Sequence, residues 1–176
     1  GLLGADTVVF QIGRYKRNFV DSARSLGIVP PGEAVARASA EPIGIDAADF
    51  TRLARDSEVR ARAAQIRRSY GGRPILFGGE RLDYTKGILE RFNAIGRLLE
   101  TEPRWVGRFT FVQIAAPTRG MIDDYRDYAA RVKALADEIN GRYPQAKAPP
   151  IILLAEHHEP DAVYEYHRAA DLCFVS

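Results

Sequence analysis

A glycine-rich segment that carries two cations is the first candidate for a functional site. Residues 78–87 contain Arg81 and Lys86, follow the apolar run 74–77 and lead into a predicted helix from Ile88. Glycine lets a backbone approach a ligand closely, and a helix N-terminus favours anions. A phosphate site and a basic surface turn both fit this composition. The loop lacks the Walker A ending Gly-Lys-Ser/Thr, and no predicted strand is followed by G-x-G-x-x-G.

A third cation, Arg119, follows the next predicted strand, at 109–115. The sequence alone does not show which group it pairs with. If the two strands are parallel, Arg119 lies at the same sheet edge as Arg81 and Lys86, because carboxyl ends of parallel strands share one edge. Three cations would then converge on one crevice. The alternative is a surface ion pair between Arg119 and Asp123 or Asp124 in the following helical turn.

Two adjacent histidines, His157 and His158, follow the predicted strand 151–154. Neighbouring side chains point in different directions and no third ligand has suitable spacing, so we predict no metal site here. Two interpretations remain for these histidines: one of them lines a ligand crevice, or both lie in a solvated loop.

Short apolar runs alternate with amphipathic stretches, the pattern of parallel βαβ units. Strands are predicted at 7–10, 74–77, 109–115, 151–154 and 172–175. Helices are predicted at 15–26, 59–70, 88–99, 122–139 and 161–170. The predicted fold class is therefore α/β, with a Rossmann-like parallel sheet, helices on both faces and half of a doubly wound domain after Arg73.

Residues 27–50 interrupt this alternation. Positions 30–32 predict a turn, 34–39 look extended, and 41–46 predict a crossing between domains. We therefore place a domain boundary in this segment. The chain stops directly after a predicted strand, where an open α/β sheet normally continues into a helix, so we expect a fragment of a longer protein.

The composition is that of an ordinary globular protein, with a net charge of +2, 46% hydrophobic and 27% charged residues. These values exclude intrinsic disorder and collagen-like sequences. Charges of both signs share the helices, which disfavours a nucleic-acid partner. No run approaches the roughly 18 apolar residues of a membrane span, and no signal peptide is recognisable, so we expect no membrane partner and a cytoplasmic location.

The chain has one cysteine, Cys173, within the apolar run 172–175. We predict a buried structural thiol there, because free cysteine behaves as a small hydrophobe. A single cysteine excludes an internal disulfide and a zinc cluster of cysteines.

Several motifs together resemble trehalose-6-phosphate synthases. The motifs are PIGID at 42–46, GERLDYTKGI at 79–88, VQIAAPTR at 112–119, INGRY at 139–143 and YHRAADL at 166–172. The resemblance runs from about Gly4 to the last residue, in order and with consistent spacing. It is therefore more specific than any single motif.

This resemblance implies a retaining glycosyltransferase of the two-domain GT-B fold that moves glucose from UDP-glucose to glucose 6-phosphate. It implies that Arg81 and Lys86 hold the donor diphosphate and act in catalysis, by stabilising the charge that develops on the leaving UDP. It also implies that Arg119 grips the acceptor phosphate. Three further residues are implied to line the nucleotide pocket: Ile114, His157 and Val163.

The family's domain plan assigns residues 1–45 to the end of an N-terminal, acceptor-side Rossmann-like domain and its crossing. Residues 46–176 correspond to the first half of a C-terminal domain that binds the nucleotide sugar. The chain alone is thus expected to be inactive. No metal or other cofactor is implied, because the nucleotide sugar is a substrate, and a homo-oligomer of the intact protein is left open.

Two other functions remain open at this stage. One is glucosylglycerol-phosphate synthase, which uses ADP-glucose and glycerol 3-phosphate on the same scaffold. The other is a non-catalytic module that binds sugar phosphates. The presence of Arg81, Lys86 and Arg119 together disfavours the second, because folding does not require three cations at one sheet edge. The donor base, whether uridine, guanosine or adenosine, is not fixed by these residues.

Overall fold

The computed structural model describes residues 2–30, 37–118, 120–146 and 148–175. The turn predicted at 30–32 and the extended segment predicted at 34–39 lie partly outside these residues. The chain divides into two compact units, Gly1–Ala47 and Ala48–Ser176.

The first unit contains a short helix–strand motif. A 3-10 turn at Leu2–Gly4 precedes β1 (Val8–Phe10), α1 (Gly13–Ser25) and β2 (Ala38–Ala40). β1 and β2 are parallel. The rings of Phe10 and Phe19 lie 5.1 Å apart, so α1 packs on β1 through its predicted apolar face.

The second unit holds the predicted alternation of strands and helices. Its elements are α2 (Ala47–Arg55), α3 (Ser57–Ser69), β3 (Ile75–Arg81), α4 (Ile88–Thr101), β4 (Thr110–Ala116), α5 (Asp123–Gly141), β5 (Ile151–Leu154), α6 (Pro160–Ala169) and β6 (Leu172–Cys173). Among the described residues, four strands form one parallel sheet in the order β5-β4-β3-β6. The chain reverses its direction of travel across the sheet at β3. Ligands of open α/β sheets bind at the carboxyl ends of strands beside such a reversal.

The central strand β4 shows why both faces of the sheet are covered. Phe111 and Ala115 lie in a core cluster with residues of α4 and α5. Val112 and Ile114 lie in a second cluster with residues of α3 and α6. Side chains alternate across a strand, so an uninterrupted apolar run needs a helix layer on each side. Burial of each large side chain stabilises the fold by about 1.5–3 kcal/mol.

Helix α2 was missed by the sequence reasoning, which treated residues 47–50 as part of the interdomain segment. Phe50 makes one of its apolar contacts, since its ring lies 5.2 Å from the ring of Tyr164 on α6. A nine-residue helix spans too few turns for its apolar periodicity to stand out from the flanking sequence.

The prediction for Cys173 was wrong, because the thiol is exposed. Its Sγ lies 3.6 Å from Nδ1 of His167 on α6. β6 stands at the edge of the described sheet and pairs only with β3 there. An edge strand of two residues gains little cover, and Leu172 beside it is also exposed.

Within the described ranges, no helix combines the length and the apolar character needed to cross a membrane.

Asp171 fastens β6 and α3 to β3. Its Oδ2 accepts a hydrogen bond from the Ile75 N–H at 2.8 Å, and its Oδ1 accepts one from Nη2 of Arg67 at 2.9 Å. The hydrogen bond from Arg67 is the main reason that the pKa of Asp171 lies below its ordinary value; burial opposes it and the Ile75 N–H adds to it. The carboxylate is therefore stabilised in its charged form by folding.

Replacing Asp171 with alanine is expected to lower the free energy of unfolding by about 1–2 kcal/mol near neutral pH, a modest loss because the side chain is 41% exposed. A carboxyl group whose pKa is lower in the folded than in the unfolded state stabilises the protein fully above its ordinary pKa of about 4. This stabilisation is lost as the pH falls through the pKa of the folded state. Denaturant unfolding from about pH 7 to about pH 3 should thus show the gap between wild type and variant closing. Asp137→Ala, which removes a surface pair with Lys133, is the control. A gap that widens in acid contradicts the prediction.

Candidate functional site

Arg81 is the last residue of β3, opposite Ala116 of β4. The next residue continues the contact, since the Leu82 N–H donates to the Ala116 carbonyl at 2.8 Å. Arg81 itself is exposed, and no described residue offers its guanidinium a hydrogen bond or an ion pair. The side chain therefore stands at the carboxyl edge of the sheet, open to an external anion.

The prediction that residues 78–87 form a loop was wrong for the first four of them. β3 runs from Ile75 to Arg81 and stays in register with β4 up to the pair Arg81 and Ala116. Backbone pairing with β4 continues the strand, and neither glycines nor charged side chains prevent such pairing. The apolar run therefore marks only the first part of the strand. Arg81 gains a rigid position from this extension.

Asp83 shapes the turn that follows β3. Its Oδ1 accepts hydrogen bonds from the N–H and the Oγ1 of Thr85, at 2.9 and 2.8 Å. This bonding holds the 3-10 turn Tyr84–Lys86. The hydroxyl of Tyr125 on α5 donates to Oδ2 of Asp83 at 3.5 Å, and Asp83 is buried. The carboxylate is thus a structural anchor of the loop.

Gly87 joins this turn to α4. Its φ of 63° and ψ of 31° lie in the left-handed region, which other residues enter at a cost. Gly87, the N-cap residue, has no side chain that could accept a hydrogen bond from the first turn of the helix. The helix dipole makes this end of α4 electropositive.

Lys86 is the last residue of the turn and lies beside this helix end. Its side chain is 34% exposed, and its Nζ lies 4.0 Å from Oε2 of Glu80. Arg81 at the end of β3 and Lys86 in the turn that follows thus give this edge two cations. Such a pair suits a ligand that carries more than one negative charge.

A buried polar network lies directly beneath the loop. Arg91 of α4 is 4% exposed and donates to Oε1 of Gln113, Oε1 of Glu80 and the carbonyl of Lys86, at 3.0, 3.2 and 2.8 Å. Gln113 of β4 donates in turn to the carbonyls of Gly78 and Ile114, at 3.0 and 2.8 Å. The network links β3, β4, α4 and the loop.

Sequence reasoning missed Glu80, Arg91 and Gln113 as parts of the site. Two signals were present: Gln113 is a polar residue inside the apolar run 109–115, and Arg91 falls within the apolar stripe of α4. A polar side chain at a core position needs a partner, because an unpaired buried polar group is costly.

Gly78 leaves the room that this network uses. A Cβ at this position would lie 2.6 Å from Oε1 of Gln113 and 2.9 Å from Nη1 of Arg91. These distances are too short for any side chain unless the network moves. Gly78 is therefore required by the close approach of two side chains.

The three residues assigned to a nucleotide pocket fall into two environments. Ile114 is 3% exposed and belongs to the core cluster of α3 and α6, against which Val163 of α6 also packs. His157 lies in the loop after β5 with its side chain 78% exposed and its Nε2 3.7 Å from Oε1 of Glu159. The structure thus brings Ile114 and Val163 together in the core and places His157 in an exposed loop.

Arg119 lies outside the described residues. Asp123, one of the partners considered for it, forms an ion pair with Arg126 one helical turn further along α5. The described residues contain no group of three or more His, Cys, Asp or Glu side chains arranged to hold a metal ion.

Comparisons with known proteins give the family of the chain. The sequence model of glycosyltransferase family 20 matches residues 1–176. A UDP-forming alpha,alpha-trehalose-phosphate synthase of Pichia angusta is 31% identical over 185 residues, covering 100% of this chain and 39% of that protein.

Solved structures agree with the sequence comparison. A UDP-forming alpha,alpha-trehalose-phosphate synthase from Burkholderia vietnamiensis has a TM-score of 0.85 and 31% identity, covering 99% of this chain and 39% of that one. A second one, from Burkholderia xenovorans in complex with glucose-6-phosphate, has a TM-score of 0.84 and 29% identity, covering 99% and 41%. The chain thus spans about two fifths of the length of these relatives. The predicted resemblance and the predicted α/β fold class of the GT-B type are confirmed.

Proposed function

The chain belongs to glycosyltransferase family 20, and on this premise we propose that the protein containing it moves glucose from UDP-glucose to glucose 6-phosphate, with retention, giving trehalose 6-phosphate and UDP. The observation that carries this proposal is the pair of cations, Arg81 and Lys86, at the carboxyl end of β3 beside the uncapped start of α4. The relatives are UDP-forming trehalose-phosphate synthases, and this supports the donor and the product.

The proposed donor site uses the two cations as a diphosphate clamp. UDP leaves with negative charge growing on its β-phosphate, and cations already held in place stabilise that charge without reorganisation. Arg81 is positioned by the pairing of β3 with β4, and Lys86 by the turn that Asp83 holds. Two protein cations supply the charge that a metal ion would otherwise provide, so we propose a reaction without a metal or other cofactor.

The acceptor and nucleoside parts of the site are extensions of the same proposal. Arg119 would grip the phosphate of glucose 6-phosphate, and the related structure that contains glucose-6-phosphate supports this acceptor. Ile114, His157 and Val163 would lie at the nucleoside. The backbone around Ile114 is the part of this residue nearest to a ligand, because its side chain is taken up by the core.

The decisive experiment is a donor and acceptor screen on the full-length protein. UDP-glucose with glucose 6-phosphate is expected to give UDP and trehalose 6-phosphate, measured by coupled UDP release and by product chromatography. ADP-glucose with glycerol 3-phosphate is the contrasting pair. Turnover of the contrasting pair alone would favour glucosylglycerol-phosphate synthesis, and binding of UDP without any turnover would favour the non-catalytic module.

The 176-residue chain by itself is expected to release no UDP from UDP-glucose and glucose 6-phosphate. GT-B sites are shared by two domains, and this chain spans about two fifths of its relatives. The same coupled assay measures both proteins at equal concentration. Turnover by the short chain at a rate close to that of the full-length protein would contradict the prediction.

A further inference from the structure

We propose that Arg91 and Glu80 are positioning residues for Lys86: Arg91 holds the main chain of Lys86 and neutralises Glu80, so that the ammonium of Lys86 can turn from Glu80 to a bound diphosphate. This inference rests on the proposed function, because it concerns the same donor site. The ion pair between Arg91 and Glu80 is buried beneath the loop and would thereby act in ligand binding as well as in folding.

The burial of Arg91 requires an explanation. Arg91 lies on the face of α4 that also carries Ile88, Phe92 and Ile95, all of them buried. Removing a guanidinium from water is costly unless it is paired and hydrogen-bonded, and an apolar residue would fill this position at lower cost. Arg91 recovers the cost through three acceptors that belong to the loop and the two strands beneath it.

The first task of Arg91 concerns the backbone. Its Nη2 donates to the carbonyl of Lys86 at 2.8 Å. This carbonyl belongs to the peptide that joins the 3-10 turn to Gly87, whose left-handed conformation starts α4. Arg91 thereby fixes the point from which the Lys86 side chain extends.

The second task concerns charge. Among the described residues, the ion-pair partners of Glu80 are Arg91, at 3.2 Å from Oε1, and Lys86, at 4.0 Å from Oε2. The closer and more deeply buried contact is with Arg91. If Arg91 were absent, the Glu80 carboxylate would have Lys86 as its remaining cation and would compete with a diphosphate for it.

Gln113 keeps Arg91 oriented for both tasks. Its amide nitrogen donates to the carbonyls of Gly78 and Ile114, so its oxygen is the atom that faces Arg91. The absence of a side chain at Gly78 makes room for this arrangement. Orientation set by buried hydrogen bonds is typical of groups that support a binding residue.

The test is a double-mutant cycle on the full-length protein with UDP as the probe. Arg91→Met is expected to weaken UDP binding about tenfold or more, and adding Glu80→Gln is expected to restore at least about threefold, because the competitor for Lys86 is then uncharged. Uridine, which lacks phosphates, is expected to bind all variants alike. Arg97→Met, an exposed position on the same helix, is the matched control. Isothermal titration gives the dissociation constants, and thermal unfolding checks that each variant is folded.

The outcomes separate this inference from the function on which it rests. If the wild-type protein does not bind UDP, the proposed function fails. If the wild type binds UDP but Glu80→Gln restores nothing to Arg91→Met, or UDP and uridine weaken equally, the positioning role is overturned. Should Arg91→Met not fold, Arg91→Lys replaces it, since a lysine keeps a cation beside Glu80. A loss of about threefold for UDP but not for uridine then supports the proposal, and an unchanged UDP affinity overturns it.

Discussion

Replacing Arg81 or Lys86 with alanine in the full-length protein is expected to lower kcat/KM by a factor of about 100 or more. In the proposed reaction, each substitution removes one preorganised cation from the place where the leaving UDP would gain charge. The effect should fall on kcat as well as on the KM for the nucleotide sugar, because the interaction strengthens in the transition state. Steady-state kinetics over a range of UDP-glucose concentrations measures both.

The stability of these two variants is expected to stay close to that of the wild type. Arg81 is exposed and has no ion-pair or hydrogen-bond partner among the described residues. Loss of the Lys86 ammonium leaves Glu80 paired with Arg91 at 3.2 Å, so no carboxylate is left buried without a cation. Thermal unfolding of the two variants distinguishes lost chemistry from lost fold.

Matched controls are available on exposed parts of the second unit. Arg104→Ala and Lys133→Ala each remove a cation whose ion-pair partner among the described residues is an exposed acid nearby, Glu102 for Arg104 and Asp137 for Lys133. Both controls are expected to keep normal kinetics, since surface pairs contribute little. Near-normal turnover of Arg81→Ala or Lys86→Ala, or a loss that follows from unfolding alone, would remove these residues from the diphosphate site.

The proposed donor site combines two physically different kinds of residue. Arg81 and Lys86 lie at a sheet edge where an anion can reach them. Arg91 lies below them and donates its hydrogen bonds to protein acceptors. Without the buried network, the segment that carries these cations would be more mobile and would lose more conformational entropy when a ligand binds. The buried network lowers that loss because it fixes the loop before the ligand arrives.

Much of the fold could be predicted from the sequence because its signals are local. The apolar run 109–115 differs from β4 by one position at each end, and the run 151–154 coincides with β5. Strands buried on both faces must be apolar throughout, which is visible without knowledge of any partner. The parallel order of the sheet followed from the helices between the strands.

The parts that escaped prediction depend on partners distant in the chain. The end of β3 at Arg81 is set by its pairing with β4, and the role of Glu80 is set by residues of α4. Periodicity shows which face a residue occupies but not which side chain it meets there. For the same reason, Cys173 sits in an apolar run and yet is exposed, because cover for β6 depends on neighbours rather than on its own sequence.

The acceptor side of the site yields a second large effect. Arg119→Ala in the full-length protein is expected to raise the KM for glucose 6-phosphate about ten- to a hundredfold, with little change in the KM for UDP-glucose. Such a rise corresponds to the loss of one charge-assisted hydrogen bond, roughly 1.5–3 kcal/mol. Arg119 follows Ala116 by three residues in the sequence, and Ala116 is the β4 partner of Arg81.

A surface ion pair is the competing explanation for Arg119, and it makes a different prediction. A pair with Asp123 would change stability by less than about 1 kcal/mol and leave the kinetics unaltered. The ion pair between Asp123 and Arg126 already occupies that carboxylate within α5. Asp123→Asn is therefore the matched control and should keep the acceptor KM of the wild type. Kinetics that vary each substrate in turn decide between the two, since an unchanged acceptor KM for Arg119→Ala, or an equal rise for both substrates, would take Arg119 out of the acceptor site.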